Sequence, residues 1–192
     1  MRSITKEEIA TFDTEEFKGR IYVIDTQERA EQAVNYLSRF SKLGFDTETR
    51  PSFRKGSLNS VSLIQLATDN RCYLFRLNRI GVNSSLIRLL SDENIWKIGL
   101  SLKDDFSSIR RRMKITPQGF VDLQKIISKH DIADTSLQKI YAIMFQKKIS
   151  KSQRLTNWDA VDLTHAQKKY AALDAWACLK IYKKLCLSNE II

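Results

Sequence analysis

The chain is poor in residues that break regular structure, with two prolines and six glycines in 192 positions. Linkers, collagen-like repeats and low-complexity segments need far more of both, so those classes are excluded. No repeat recurs at a fixed period. Cysteine is scarce too. Cys72, Cys178 and Cys186 form an odd set with no Cys-x-x-Cys and no Cys/His spacing. Neither a disulfide framework nor a zinc centre follows, and a reducing compartment fits best. No apolar run approaches the ~20 residues of a membrane span. The opening "MRSITKEEIATF" puts Lys6, Glu7 and Glu8 where a signal peptide needs apolar side chains. The expectation is a soluble, cytoplasmic protein with no membrane partner.

Acidic residues are the last shortage: 22 Asp and Glu stand against 32 Lys and Arg, a formal charge of +10. Such a surplus suggests a polyanionic partner, nucleic acid or an acidic membrane surface, although a solvated basic face accounts for charge alone equally well.

What the chain has is apolar patterning along its whole length, with 43% hydrophobic residues. One domain over residues 1–192 is expected, its core at about 20–187. Strands are predicted at 20–25, 42–48, 60–68, 71–77 and 95–100, and "GFVDLQKIISKH" (119–130) reads as a short strand running into a helix. The pair Asp69-Asn70 suits a hairpin between the third and fourth of these. Helical periodicity covers 26–40, 84–92, 102–113 and 136–146. Thr164 and Gln167 form a capping-box pattern ahead of a long helix that is apolar round most of its circumference from Tyr170 to Leu179. Interleaved strands and helices followed by a helical second half predict an α/β or α+β domain with a mixed sheet.

Few acids are left to explain, and some are oddly placed. In "LGFDTETRP" (43–51), alternation sends Asp46 and Glu48 to one face of a strand. A wet strand end would tolerate both. So would a hard divalent cation between them, such as Mg²⁺ or Mn²⁺. In "WKIGLSLKDDF", Asp104 and Asp105 fall in the first turn of a helix, where the dipole favours one acid comfortably and two less well. In "YAALDAW", Tyr170 and Asp174 share a helix face, and Asp174 sits in an apolar stretch where an unpartnered carboxylate is expensive.

Together these segments resemble the three exonuclease motifs of the DEDD family of 3'-5' exonucleases. "FDTE" matches the first. "KIGLSLKDDF" is similar to the second in its Lys-x-Gly-x-x-x-x-x-Asp form, which selects Asp105. "YAALDA" matches the third in its Tyr-x-x-x-Asp version; the histidine version would need His where Lys169 stands. "SLIQLA", "CYLF" and "RLTNWDAVDLTHAQKKYAALDA" resemble the surrounding stretches of Werner-helicase-type and ribonuclease D-like exonuclease domains. The likeness runs from about Lys42 to Leu185. One departure is Asp162, where many relatives have proline, at a helix entry away from the motifs.

The resemblance implies a ribonuclease H-like fold, a mixed central β-sheet flanked by α-helices. It implies hydrolysis of phosphodiester bonds from the 3' end, releasing nucleoside 5'-monophosphates, with two divalent ions. Asp46 would bridge both ions, Glu48 and Asp174 would complete one, and Asp105 would hold the other. Tyr170 would orient the attacking water, because a phenol of pKa ~10 is a poor base at neutral pH. Arg50, Arg54 and Lys55, then Arg110, Arg111, Arg112 and Lys114, then Lys147, Lys148, Lys151 and Arg154 flank the three motifs and suit phosphates. Phe53, Trp158 and Trp176 are candidates for stacking on bases, the two tryptophans more often core. His130 and His165 read as surface residues. The implied partner is single-stranded or 3'-recessed nucleic acid, without an organic small-molecule cofactor; no oligomeric state is implied. DNA is taken ahead of RNA. A ribonuclease D-like RNA processor and a catalytically silent nucleic-acid-binding module are the alternatives.

Overall fold

The computed structural model describes residues 1–52 and 59–189. Along the chain run α1 (Lys6–Thr11), β1 (Arg20–Ile24), α2 (Gln27–Leu37), β2 (Lys42–Thr49), β3 (Val61–Ala67) and β4 (Arg71–Arg76). Then come α3 (Leu77–Ile80), α4 (Ser84–Leu90), β5 (Trp96–Gly99), α5 (Leu102–Arg110), β6 (Phe120–Asp122) and α6 (Leu123–Ile127). The last helices are α7 (Leu137–Phe145) and α8 (His165–Asn189).

The six strands form one sheet in the order β1-β4-β3-β2-β5-β6. β3 runs antiparallel to β2 and β4, while β1–β4, β2–β5 and β5–β6 pair in parallel, so the sheet is mixed as expected. Alternation divides its side chains between two apolar layers. Leu63, Ala67, Cys72, Leu74 and Ile98 pack under α8. Leu43, Phe45, Ile64, Leu66 and Phe75 pack on the other face with α2, α4 and α5. Each Leu, Ile or Phe so buried contributes ~1.5–3 kcal/mol, which anchors the central strands.

α8 lies deep because its sequence is small and apolar: Ala171, Ala172, Ala175, Ala177, Cys178, Leu179 and Ile181 are all essentially inaccessible. Its entry is the expected capping box. The Thr164 N–H donates to Gln167 Oε1 at 2.9 Å and the Gln167 N–H to Thr164 Oγ1 at 3.1 Å. Gly44 lets the helix sit close. A Cβ there would come 2.0 Å from the Ala175 carbonyl oxygen. α8 therefore rests directly on the β2 backbone, one residue from Asp174.

The N-terminal segment was not anticipated. α1 has its own capping box, from Thr5 and Glu8. The following residues lie along α7 and α8, where Glu15 Oε2 accepts from the Tyr141 hydroxyl at 2.6 Å and from Lys180 Nζ at 3.1 Å. No described helix is long and apolar enough to cross a membrane.

Candidate active site

β2 and β5 are parallel neighbours, and their C-terminal ends open on the same edge of the sheet. Asp46 and Glu48 sit at that end of β2. The β2–β3 register slips between Glu48 and Thr49. The Arg50 N–H donates to the Ser62 hydroxyl beyond the slip. Such an irregularity bends the strand and re-aims its last side chains.

Asp174 of α8 completes the group. One carboxylate oxygen from each of Asp46, Glu48 and Asp174 lies within 4.8 Å of the others. Glu48 and Asp174 are buried, at 8% and 7% exposure, and Asp46 is half-buried. Burial raises the pKa of all three, and the neighbouring carboxylates raise those of Asp46 and Glu48 further. Burial, then Asp174, Asp105 and Glu48, push Asp46 well above the carboxylate range. Burial and the Asp174 and Asp105 charges push Glu48 up to about 9, with Arg154 pulling the other way. Burial pushes Asp174 to about 7 against Tyr170 and Lys151. Asp174 Oδ1 has no hydrogen-bond partner. An all-oxygen, like-charged set with an orphan lone pair fits a hard divalent cation, which would turn the repulsion into attraction.

Asp105 lies beside this trio rather than in it. It sits half-buried in the first turn of α5, and its carboxylate accepts from the Thr47 hydroxyl. Burial raises its pKa to about 6, with the Thr47 hydrogen bond opposing. Thr47, invisible in the sequence as a functional residue, thus ties the second motif to the first. Asp122 was also missed. At the end of β6 its carboxylate accepts from the N–H groups of Ser101 and Leu102, at 3.0 and 3.1 Å, and of Gln124 at 3.0 Å. It holds Ser101 in the left-handed region (φ 60°) and fixes the start of the helix that carries Asp105. A single acid at a strand–helix junction carries no motif signal, which is why it was overlooked.

The motif's other positions are structural. Lys97 is fully buried, donates to the Asp92 carbonyl at 2.5 Å and lies 5.1 Å from the Phe120 ring centre. Gly99 makes room for Leu102, whose Cδ2 would lie 2.4 Å from a Cβ there. Tyr170 stands half-buried within hydrogen-bonding reach of Asp174. Burial and the charges of Asp174, Glu48 and Asp46 raise its phenol pKa further, so it keeps its proton.

Cavities open on either side of the acids. One of about 400 Å³ includes Glu48, Arg50, Asp104, Asp105, Arg111 and Arg154 in its lining. Another of about 260 Å³ includes Lys151, Arg154, Tyr170 and Asp174. Arg50, Arg111, Lys151 and Arg154 thus come to the acids. Arg110 lines a different cavity with Lys114. Arg54, Lys55 and Phe53 lie outside the described residues. Several other cations are engaged within the fold. Lys147 pairs with Asp13 at 2.9 Å, Lys148 donates to the Ala10 carbonyl, and Arg112 to Leu77 and Ser60. Trp158 is fully buried, and Trp176 has Lys180 Nζ 4.5 Å over its ring and Phe17 at 5.8 Å, so both are engaged within the fold.

A profile of the 3'-5' exonuclease family matches residues 21–190. The chain belongs to that family. It is 35% identical over 155 residues to the bifunctional 3'-5' exonuclease/ATP-dependent helicase WRN of Mus musculus, covering 78% of this chain and 11% of that protein. It is 30% identical over 190 residues to a 3'-5' exonuclease of Arabidopsis thaliana, covering 91% of this chain and 66% of that protein. The chain thus spans only part of these relatives' length. Among solved structures, the Nibbler EXO domain of Aedes aegypti superposes with a TM-score of 0.78 at 22% identity, covering 100% of this chain and 97% of that one. Escherichia coli RNase D superposes with a TM-score of 0.79 at 24% identity, covering 88% and 45%. The fold is ribonuclease H-like, as the motifs implied.

Proposed function

We propose that this exonuclease-family chain, as one unit with its motif-bearing core at about 20–187, hydrolyses phosphodiester bonds from the 3' end of nucleic acid and releases nucleoside 5'-monophosphates. The observation that carries the proposal is the convergence of Asp46, Glu48 and Asp174 within 4.8 Å. In this reading Asp46, Glu48 and Asp174 hold one divalent ion, Mg²⁺ or Mn²⁺, while Asp105 with Asp46 holds a second. When bound, two such ions neutralise charge at the scissile phosphate and make an attacking water acidic enough to act at neutral pH.

The chain's own residues do the rest. Tyr170, kept protonated by burial and its carboxylate neighbours, donates a hydrogen bond and orients the water. Lys151 and Arg154 on one side, with Arg50 and Arg111 on the other, bind phosphates regardless of sequence. Arg154 lines both cavities, which supports its contact with the phosphate in this reading. The substrate is single-stranded or 3'-recessed. DNA is the first substrate assigned. RNA is the second reading, because a Trypanosoma brucei RNase D of similar fold is solved with RNA U12.

The test compares labelled DNA and RNA oligonucleotides with Mg²⁺, Mn²⁺ and excess EDTA. Hydrolysis is expected with either metal and none in EDTA. Full activity in chelator would overturn the metal-dependent reading.

A further inference from the structure

On β3, Gln65 stands directly across from Asp46. Such cross-strand partners have Cβ atoms ~4.5–5.5 Å apart. Alternation puts Gln65 on the α8 face with Leu63 and Ala67, both in the layer under that helix. Gln65 is 0% exposed, and neither its amide oxygen nor its amide nitrogen has a partner. A buried primary amide is normally satisfied, because leaving its donors and acceptor unmade forfeits their hydration without return. Leucine or methionine would fill similar space at no such cost. Packing alone therefore does not explain an amide at this position.

The neighbour across the ladder does. Tyr170 reaches Asp174, Arg154 acts on Glu48, and the Thr47 hydroxyl serves Asp105. Asp46 has the Thr47 backbone N–H. Gln65 is the side-chain donor beside it on the same sheet face. We infer that Gln65 is a positioning residue, whose amide N–H groups, unpartnered in this structure, turn onto the Asp46 carboxylate across the ladder when a cation binds and hold it in the orientation the cation site needs. This rests on the reading of Asp46, Glu48 and Asp174 as that site. Carboxylate ligands are themselves hydrogen-bonded, and losing such an outer partner weakens metal affinity ~10–100-fold.

The experiment titrates the full chain with Mn²⁺ alone, by calorimetry, and records melting in EDTA. The proteins are wild type, Gln65→Leu, Gln65→Met and Asp46→Asn. Gln65→Leu and Gln65→Met should melt above wild type in EDTA, since an orphaned amide is removed, and bind Mn²⁺ at least ~10-fold more weakly. If Gln65→Leu fails to fold, the more pliable Gln65→Met decides. Wild-type Mn²⁺ affinity in the Gln65 variants, with affinity lost in Asp46→Asn, would overturn the inference and leave the cation site standing. Melting below wild type in EDTA would make the amide part of the fold's own stability and also overturn it. Wild-type affinity in Asp46→Asn would instead remove the cation site, and the role of Gln65 with it.

Discussion

Asp46 concentrates the energetic conflict of the molecule. It faces Glu48 and Asp174 across less than 5 Å, with Asp105 adding to their repulsion. Without metal, these acids hold protons in the folded state that the unfolded chain has already released. For Glu48 that interval runs from 4.5 to about 9. Where the folded state binds more protons, stability falls as pH rises. The metal-free protein should therefore melt lower at pH 8.5 than at pH 6, each kcal/mol appearing as ~2–4 °C. Lys97 acts in the opposite sense, since burial lowers it to about 8 from 10.5, and its contribution grows with pH through that interval. Asp46→Asn, measured alongside, separates the two. It removes one like charge, so it should melt higher than wild type in EDTA at pH 8.5 and flatten the decline. Saturating Mn²⁺ should raise the wild-type melting temperature most at the alkaline end. A wild-type curve in EDTA no steeper than that of Asp46→Asn would contradict this view of the cluster.

The acids meet because two elements touch without side chains between them. Gly44 of β2 receives the Ala175 carbonyl of α8, and a Cβ there would also come 3.2 Å from Leu179 Cβ. Gly44→Ala must push α8, and Asp174 with it, off the strand. Overpacking of this kind costs ~1–3 kcal/mol. Gly44→Ala is expected to melt lower and to lose most of its nuclease rate, although every acid remains. Melting curves and initial rates on one oligonucleotide decide it, and a variant as stable and active as wild type would show that close approach is not required. Element positions were largely legible in the sequence. β2, β3, β4 and α8 announce themselves through alternation, a turn pair and a capping box. Gly44 carries no signal within its own strand, because the helix residue it admits, Ala175, comes 131 positions later. Asp122 and Thr47 escaped for the same reason. Their partners are distant in sequence, and each alone is an ordinary strand residue.

At the scale of the whole molecule, a mixed sheet gathers three sequence motifs at the C-terminal ends of two parallel strands. Asp46, Glu48 and Asp174 stood out together in the sequence, and the fold brings them within 4.8 Å of one another. The basic residues could not be sorted that way. Lys147 and Lys148 lie in the same stretch as Lys151 and Arg154, yet the first two are held by the N-terminal segment and the last two face the acids. Charge counts alone do not register that segment, because its acids Asp13, Glu15 and Glu16 act as partners for lysines of the second half. The central claim is that these carboxylates remove nucleotides one at a time from a 3' end. It is tested most directly by following a 5'-labelled single strand with Mn²⁺, using wild type, Tyr170→Phe and Asp46→Asn. Wild type should give a ladder that shortens from the 3' end. Tyr170→Phe should give the same ladder more slowly, and Asp46→Asn should leave the strand intact, its rate down by orders of magnitude because it removes the residue that the proposal assigns to both ions. Internal cleavage by wild type, or an Asp46→Asn ladder at the wild-type rate, would contradict the account.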